Sequence, residues 1–285
     1  MNKKVRLGLI ILFIIFLQFI IGIVFIKPYI STWGSAESEV SMPMPGDHLA
    51  PFISSTRSIT INASISQVWD WLIQIGADRG GFYSYMFIEK PLGYVYRTHH
   101  RIEPEFKDMK VGHIVRTSID QSKSVIKYIF PVIAVDPGKY FVLKNWGCFL
   151  LNEINPKQTR LIIRTHGQTL PTWRYQLEMP LHYLMERRML IGIKARAEAG
   201  PGKPFSSTKD IMWFLGICLS FLSIIVLLTF CNSIKVELLT ILYAILWLLT
   251  LFIFDPIPMY SVPLLIILIF NLAWFFKKRK RITQK

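Results

Sequence analysis

Apolar residues along the chain fall into two rhythms, unbroken runs at both ends and short alternations between. Leu7 to Ile26 is a run of twenty residues in which Gln18 alone is strongly polar. Ile211 to Cys231, Leu238 to Phe254 and Pro258 to Phe276 are three further runs near the C-terminus. A bilayer-spanning helix needs about 20 such residues, whereas the apolar core of a secretory signal is about 7–15 long. The pattern therefore predicts about four transmembrane α-helices, the first an uncleaved anchor rather than a signal cleaved near Ser35-Ala36. Pro263 sits inside the last span; a proline is tolerated in a first helical turn, where a missing N–H costs little.

Between the runs the periods are those of an α+β domain. Arg57 to Asn62 alternates Ile59 and Ile61 with Ser58 and Thr60, which predicts a half-buried strand. Ser64-Ile65-Ser66-Gln67 has the form of a capping box, and Val68, Trp69, Leu72, Ile73 and Ile75 continue it as an apolar helical stripe. Asp78-Arg79-Gly80-Gly81 ends that helix, since each glycine costs about 1 kcal/mol relative to alanine in a helix interior. Val111–Ser118, Ser124–Val135, Tyr140–Trp146, Cys148–Ile154, Thr159–His166 and Thr172–Glu178 are rich in β-branched and aromatic residues and divided by turn signals, which predicts an antiparallel meander. Leu181 to Ala199 returns to a helical period and stops at Gly200-Pro201-Gly202. In it Leu181, Leu184, Met185, Ile191 and Ala195 are expected on the buried face, with Glu186, Arg187, Lys194 and Glu198 on the other. Ser31 to Pro51 has no sustained period and reads as a tether.

Composition supports the membrane reading. The chain is 52% hydrophobic, with a mean hydropathy of +0.39. Its formal charge of +15 is uneven: residues 30–205 hold 21 Lys/Arg against 15 Asp/Glu, so +9 lies in the flanks. Lys3, Lys4 and Arg6 at one end and Lys277-Lys278-Arg279-Lys280-Arg281 at the other place both termini in the cytoplasm and the intervening domain outside it. A basic block directly after an apolar span matches anionic headgroups, and nucleic acid is not an expected partner. Three cysteines, two of them in or beside a membrane run, allow no disulfide framework or zinc cluster.

Several ordered motifs carry a resemblance. Arg57-Ser-Ile-Thr-Ile, Val68-Trp69-x-Trp71-Leu72-x-Gln74-Ile75-Gly76-x-Asp78-Arg79-Gly80-Gly81-Phe82-Tyr83-Ser84-Tyr85, Arg101-Ile102-x-Pro104-Glu105, Val111-Gly112-x-x-Val115 and Met185-Glu186-Arg187-Arg188-Met189-Leu190-x-Gly192-Ile193-Lys194 resemble the bacterial polyketide cyclase/dehydrase-like branch of the SRPBCC (START, Bet v 1-like) superfamily. The resemblance covers about residues 47 to 200. It implies a helix-grip domain, in which a curved antiparallel sheet wraps a long C-terminal helix and encloses an apolar cavity. The organisation expected is an anchor over 1–28, a tether over 29–51, the helix-grip domain over 52–202 and a membrane region over 208–285. Met86-Phe87 and Thr98-His99-His100 depart from what relatives carry after Tyr-Ser-Tyr and before Arg-Ile.

Candidate ligand-binding residues follow from that placement: Asp78, Arg79, Phe82, Tyr83 and Tyr85 at the turn edging the cavity, with Tyr94, His100, Arg101 and Glu105 from the polar stretch behind it. An Arg can hold a carboxylate or phosphate and a Tyr can donate a hydrogen bond; equally, Asp78 and Arg79 can pair to hold the turn. His99-His100 with Glu103 and Glu105 has metal-ligand chemistry, but adjacent histidines on extended chain face opposite ways and no HExxH is present, so neither metal nor cofactor is expected. His182 and Glu186, four apart on a helix, read as a surface pair. GxSxG, P-loop and GxGxxG are absent, and Cys148 reads as a small core residue. The expected function is a membrane-anchored protein binding an apolar or amphipathic small molecule or lipid. The alternatives are an enzyme of cyclase or dehydrase type, and a sensing protein whose C-terminal spans bind another membrane protein.

Overall fold

The computed structural model describes residues 22–283 apart from 96, 98–100, 121, 123–128, 169–171, 201, 202, 204, 205 and 231–233, together with 12, 13, 16 and 20. Two compact units divide the chain, Tyr29–Phe205 and the combination of Met1–Pro28 with Ser206–Lys285.

The first unit is built on a six-stranded antiparallel sheet, β1 (Ile53–Ile61), β2 (Ile114–Arg116), β3 (Ile129–Asp136), β4 (Tyr140–Leu143), β5 (Gly147–Asn155) and β6 (Gln158–His166), in the spatial order β1-β6-β5-β4-β3-β2. After the short helix α1 (Glu37–Ser41) and β1 comes α2 (Ile65–Leu72), which begins as its sequence predicts. The Ser64 hydroxyl accepts the Gln67 N–H and the Gln67 side chain accepts the Ser64 N–H, so two N-terminal donors are satisfied reciprocally. Val68, Trp69, Trp71 and Leu72 are then buried against the sheet.

The long helix α3 departs from expectation at its start. It runs unbroken from Thr172 to Ala199, so Thr172–Glu178 is helix and not a seventh strand. Beside β1 lies the segment around Trp33, whose carbonyl accepts the Ser58 N–H at 3.1 Å. Pro180 removes one ladder bond and the helix continues through it.

The buried face of α3 also differs from the one expected, although Lys194 and Glu198 do face outward. Leu181 is 63% exposed, while Glu186, Arg187, Met189, Leu190 and Ile193 are buried. Apolar and charged residues are spread evenly around this helix, so periodicity carries little information about which side meets the sheet. The space between sheet and α3 is filled with rings. Trp146 lies 4.9 Å from Phe130, 5.2 Å from Phe149 and 5.9 Å from Phe82, and Phe141 stacks on Phe149 at 4.7 Å.

Residues 29–51, expected as a tether, lie on the same unit. α1 and its flanks cover the other sheet face, where Met44 packs with Val142, Cys148 and Ile162. Two arginines of β6 hold them there. Arg160 pairs with Glu39 at 2.7 Å, and Arg164 pairs with Asp47 at 2.7 Å while donating to the carbonyls of Glu39, Val40 and Met42. Short polar and acidic stretches show no period because their partners lie more than a hundred residues away.

In the second unit, α4 (Thr208–Phe230), α5 (Ile234–Phe252) and α6 (Pro258–Thr283) are long and apolar enough to cross a membrane, with mean hydropathies of 2.7, 1.9 and 2.0 over their spanning stretches. Among the described residues there are three such helices, not about four; the span expected over 7–26 falls mostly outside them. Polar ties join the three. The Trp247 indole donates to the Ile217 carbonyl at 2.9 Å, and Asn271 donates to the Tyr243 hydroxyl at 2.8 Å. A Cβ at Gly216 would come within 2.6 Å of the Ser261 hydroxyl, so α4 and α6 approach closely at a small residue.

Candidate functional site

The turn after α2 is built around Tyr83. Gly76 and Gly81 exchange backbone hydrogen bonds at 2.9 and 3.2 Å, and the Gly80 N–H donates to the Gln74 carbonyl at 2.6 Å. That fold brings the Tyr83 hydroxyl within 2.6 Å of where a Cβ on Gly80 would stand, so position 80 has no room for a side chain. Tyr83 itself adopts a left-handed φ of 58°. Its hydroxyl donates to the Trp71 carbonyl at 3.1 Å, and the Arg196 guanidinium covers its ring at 4.4 Å. Burial raises its pKa and overrides Arg196 and Arg79, so the phenol stays protonated and serves as a fixed donor.

Asp78 and Arg79 engage the protein on separate sides. Asp78 accepts from Arg116 at 3.0 Å. Arg79 donates to the Phe106 carbonyl at 2.5 Å and lies 4.8 Å over the Phe106 ring. Further bonds from Arg97 to Ala77 and from Glu103 to Gln74, each 2.8 Å, hold the polar stretch against this turn. The structure thus brings Asp78, Arg79, Phe82, Tyr83 and Tyr85 together as a packed turn, with Phe82, Tyr83 and Tyr85 buried. Tyr94 is half-buried, whereas Arg101 and Glu105 are exposed and Arg101 pairs with Glu103 at 2.8 Å. His99 and His100 lie outside the described residues. Among the described residues, no group of three or more His, Cys, Asp or Glu is placed to hold a metal ion.

Beside the turn lies an open cleft of about 290 Å³. Trp71, Ile102, Pro104 and Ala197 supply its apolar lining, and Gln67, Asp70 and Lys107 supply polar groups. α2, the end of α3 and the 102–107 segment therefore meet around it. Of the residues expected at a site, none lines this cleft directly, although Arg79 positions the 102–107 segment through Phe106.

A buried polar centre escaped sequence reasoning altogether. Arg57 of β1 pairs with Glu186 of α3 at 2.7 Å, with both side chains at most 1% exposed. The other Glu186 oxygen accepts from the Trp146 indole at 3.2 Å and the Thr165 hydroxyl at 3.0 Å, and His182 stands 3.5 Å away. Glu186 therefore belongs to the interior, and His182, its side chain 38% exposed, reaches it from the rim, so the two are not a pair on the open surface. Burial alone would push the Glu186 carboxyl up, but Arg57, then His182, then the hydrogen bonds from Arg57 and Trp146 bring it below the ordinary value. His182 is shifted downward by burial, against the pull of Glu186, and faces it as a neutral imidazole near pH 7. A carboxylate held ionised by this many donors is a poor proton acceptor, so the centre is built for structure and not for acid–base transfer.

A signal for this pair was present. Arg57 shares the parity of Ile59 and Ile61, so alternation along β1 aims it inward with them. Glu186 lies three, four and seven residues before Met189, Leu190 and Ile193, the buried side of α3.

No family model matches the chain, and no curated protein matches it. Among solved structures the chain is similar to a conserved protein of unknown function from Enterococcus faecalis, at 16% identity and a TM-score of 0.32, covering 53% of this chain and 75% of that one. A second similarity is to a polyketide-cyclase-like protein from Corynebacterium glutamicum, at 15% identity and a TM-score of 0.25, covering 49% and 87%. At TM-scores of this size neither neighbour informs the site, and the geometry alone carries the reading below.

Proposed function

We propose that the chain is a membrane-attached binding protein whose extramembrane domain takes a small amphipathic molecule in the cleft between α2, the end of α3 and the 102–107 segment. The observation that carries this is the chemistry of the cleft: an apolar lining of Trp71, Ile102, Pro104 and Ala197 beside Asp70 and Lys107. Ligand clefts combine mostly apolar walls with a few polar groups that fix orientation, and typical volumes are about 300–1,000 Å³. At about 290 Å³ this one suits a small molecule or the end of a lipid chain rather than a whole lipid. Three membrane-capable helices in the same chain support a bilayer as the source of that molecule. The basic termini favour a multi-pass arrangement in the cell membrane, with both ends cytoplasmic and the domain outside.

The test is mass spectrometry of the full chain extracted gently from its own membrane, alongside Ile102→Trp, which fills the cleft from a half-buried position. One chemical class of small molecule should accompany the wild type and fall at least tenfold in the variant, with circular dichroism unchanged. A wild-type chain that is always empty, or equal loading of both proteins, overturns the reading.

A further inference from the structure

The strap formed by residues 29–51 does more than cover a sheet face. It is fastened at two places that differ in kind. Across the outer face, Glu39 and Asp47 bind Arg160 and Arg164 of β6. At its start, the Ile30 carbonyl accepts from Arg57 Nε at 2.7 Å, and this guanidinium is the one whose Nη1 holds Glu186 of α3. Ile30 is 1% exposed and follows Tyr29, where the chain leaves the unit containing the apolar helices. A planar guanidinium has a fixed fork, so Arg57 cannot follow a displaced Ile30 without turning its other nitrogens away from Glu186. Glu186 then faces Trp146 and Thr165 without its countercharge, in an interior where a lone charge is costly.

We propose that the strap is a conformational latch, coupling the chain segment at Tyr29–Ser31 to the closing helix α3 through the guanidinium of Arg57. While the strap is docked, Arg57 is shared between Ile30 and Glu186 and α3 is held against the sheet. When the strap lifts, α3 loosens around Glu186. This coupling stands apart from the ligand reading, since it concerns the strap and α3 and makes no use of the cleft.

Peptide-resolved hydrogen exchange on the full chain in detergent tests it with two variants. Glu39→Gln/Asp47→Asn weakens the strap at positions that pair with Arg160 and Arg164 of β6 and not with α3. Ser35→Cys/Ser58→Cys adds a staple where the two hydroxyls already meet at 2.9 Å. The latch predicts that the first variant raises exchange in α3 around Glu186 at least tenfold, as well as in the strap. Combined with the oxidised staple, α3 should return to within about twofold of wild type, and reductant should release it again. Faster exchange confined to the strap and β6, with α3 unchanged, would make the strap a passive cover and overturn the proposal. A uniform rise that the staple does not suppress would also overturn it, since the variant would then act on global stability.

Discussion

The two faces of the sheet are held by opposite means. On the inner face, Trp69, Phe130, Phe141, Trp146 and Phe149 pack with Leu190 and Ile193, and polar chemistry is concentrated in the Arg57–Glu186 pair. On the outer face the apolar contribution is small, Met44 with Val142, Cys148 and Ile162, and the strap is fixed by arginine forks on backbone carbonyls and carboxylates. Apolar packing is non-directional and scales with buried area, whereas each fork specifies one register. The inner face therefore supplies stability, and the outer face supplies placement of a segment too polar to stick by itself. Cys148 shows the strap excluding water: burial pushes its thiol up to about 12, against the lowering effect of Arg164.

The largest effect should come from the inner pair. Arg57→Ala leaves Glu186 buried and uncompensated, a change that costs roughly 3–5 kcal/mol. Replacing both partners by apolar residues, as in Arg57→Met/Glu186→Leu, should recover most of that loss, because desolvation of the charges disappears with them. Chemical unfolding of the full chain in detergent, followed by the fluorescence of Trp146 and its neighbours, reads both. Should the double variant be no more stable than Arg57→Ala, the pair would be specifying the interior rather than merely neutralising it.

On the outer face, Arg164→Ala removes four hydrogen bonds to the strap and leaves several carbonyls to water, for a loss of about 2–3 kcal/mol. Arg164→Lys keeps the charge but not the fork, and should restore less than half of it. Limited proteolysis within residues 36–46 should accelerate in both variants. A smaller change separates packing from hydrogen bonding inside. Trp146→Phe keeps a ring among Phe82, Phe130 and Phe149 but removes the donor to Glu186, for about 1–3 kcal/mol. An effect beyond 4 kcal/mol would mean that the indole's bulk, not its N–H, is the important part.

How much of this was legible depends on whether the governing contact is local. The capping box at Ser64, the helix it starts, the antiparallel strands and the three apolar C-terminal helices follow from neighbours within a few residues, and the sequence reports them. The strap does not, because Glu39 and Asp47 find their partners at Arg160 and Arg164. Thr172–Glu178 has strand-like composition and is nonetheless helical, continuous with the rest of α3 to Ala199. The orientation of α3 was misread for the same reason: Glu186 is tolerated inside only because Arg57 meets it from another element. As for the candidate site, the turn residues Asp78 to Tyr85 do gather as expected, but Asp78 and Arg79 hold the 94–116 segment. The cleft lies where this segment meets α2 and the end of α3, and its lining combines residues whose spacing carries no motif.

The smallest effect is on pH dependence, and it weighs the two faces against each other. Each face carries one histidine with a lowered pKa, His182 inside and His166 outside, in both cases chiefly through burial and against the pull of a carboxylate, Glu186 or Asp47. A histidine whose folded pKa lies below its unfolded value of 6.5 is harder to charge in the folded chain, so the unfolded chain binds more protons. Its contribution is complete above pH 6.5 and is lost as the pH falls from there toward the folded value. Glu39, held down first by its hydrogen bond from Arg160, and Glu186, held down mainly by Arg57 against burial, act in the same direction from 4.5 downward. The melting temperature in detergent should therefore be level between about pH 7 and 8, fall modestly between pH 6.5 and 5, and fall steeply below 4.5. His182→Gln should remove the inner share of the first step and His166→Asn the outer share, leaving the doubly substituted chain level down to about pH 5. A wild-type domain that grows more stable between pH 6.5 and 5 would show that Glu186 and Asp47 outweigh burial at these histidines, and would reverse the sign assigned to both faces.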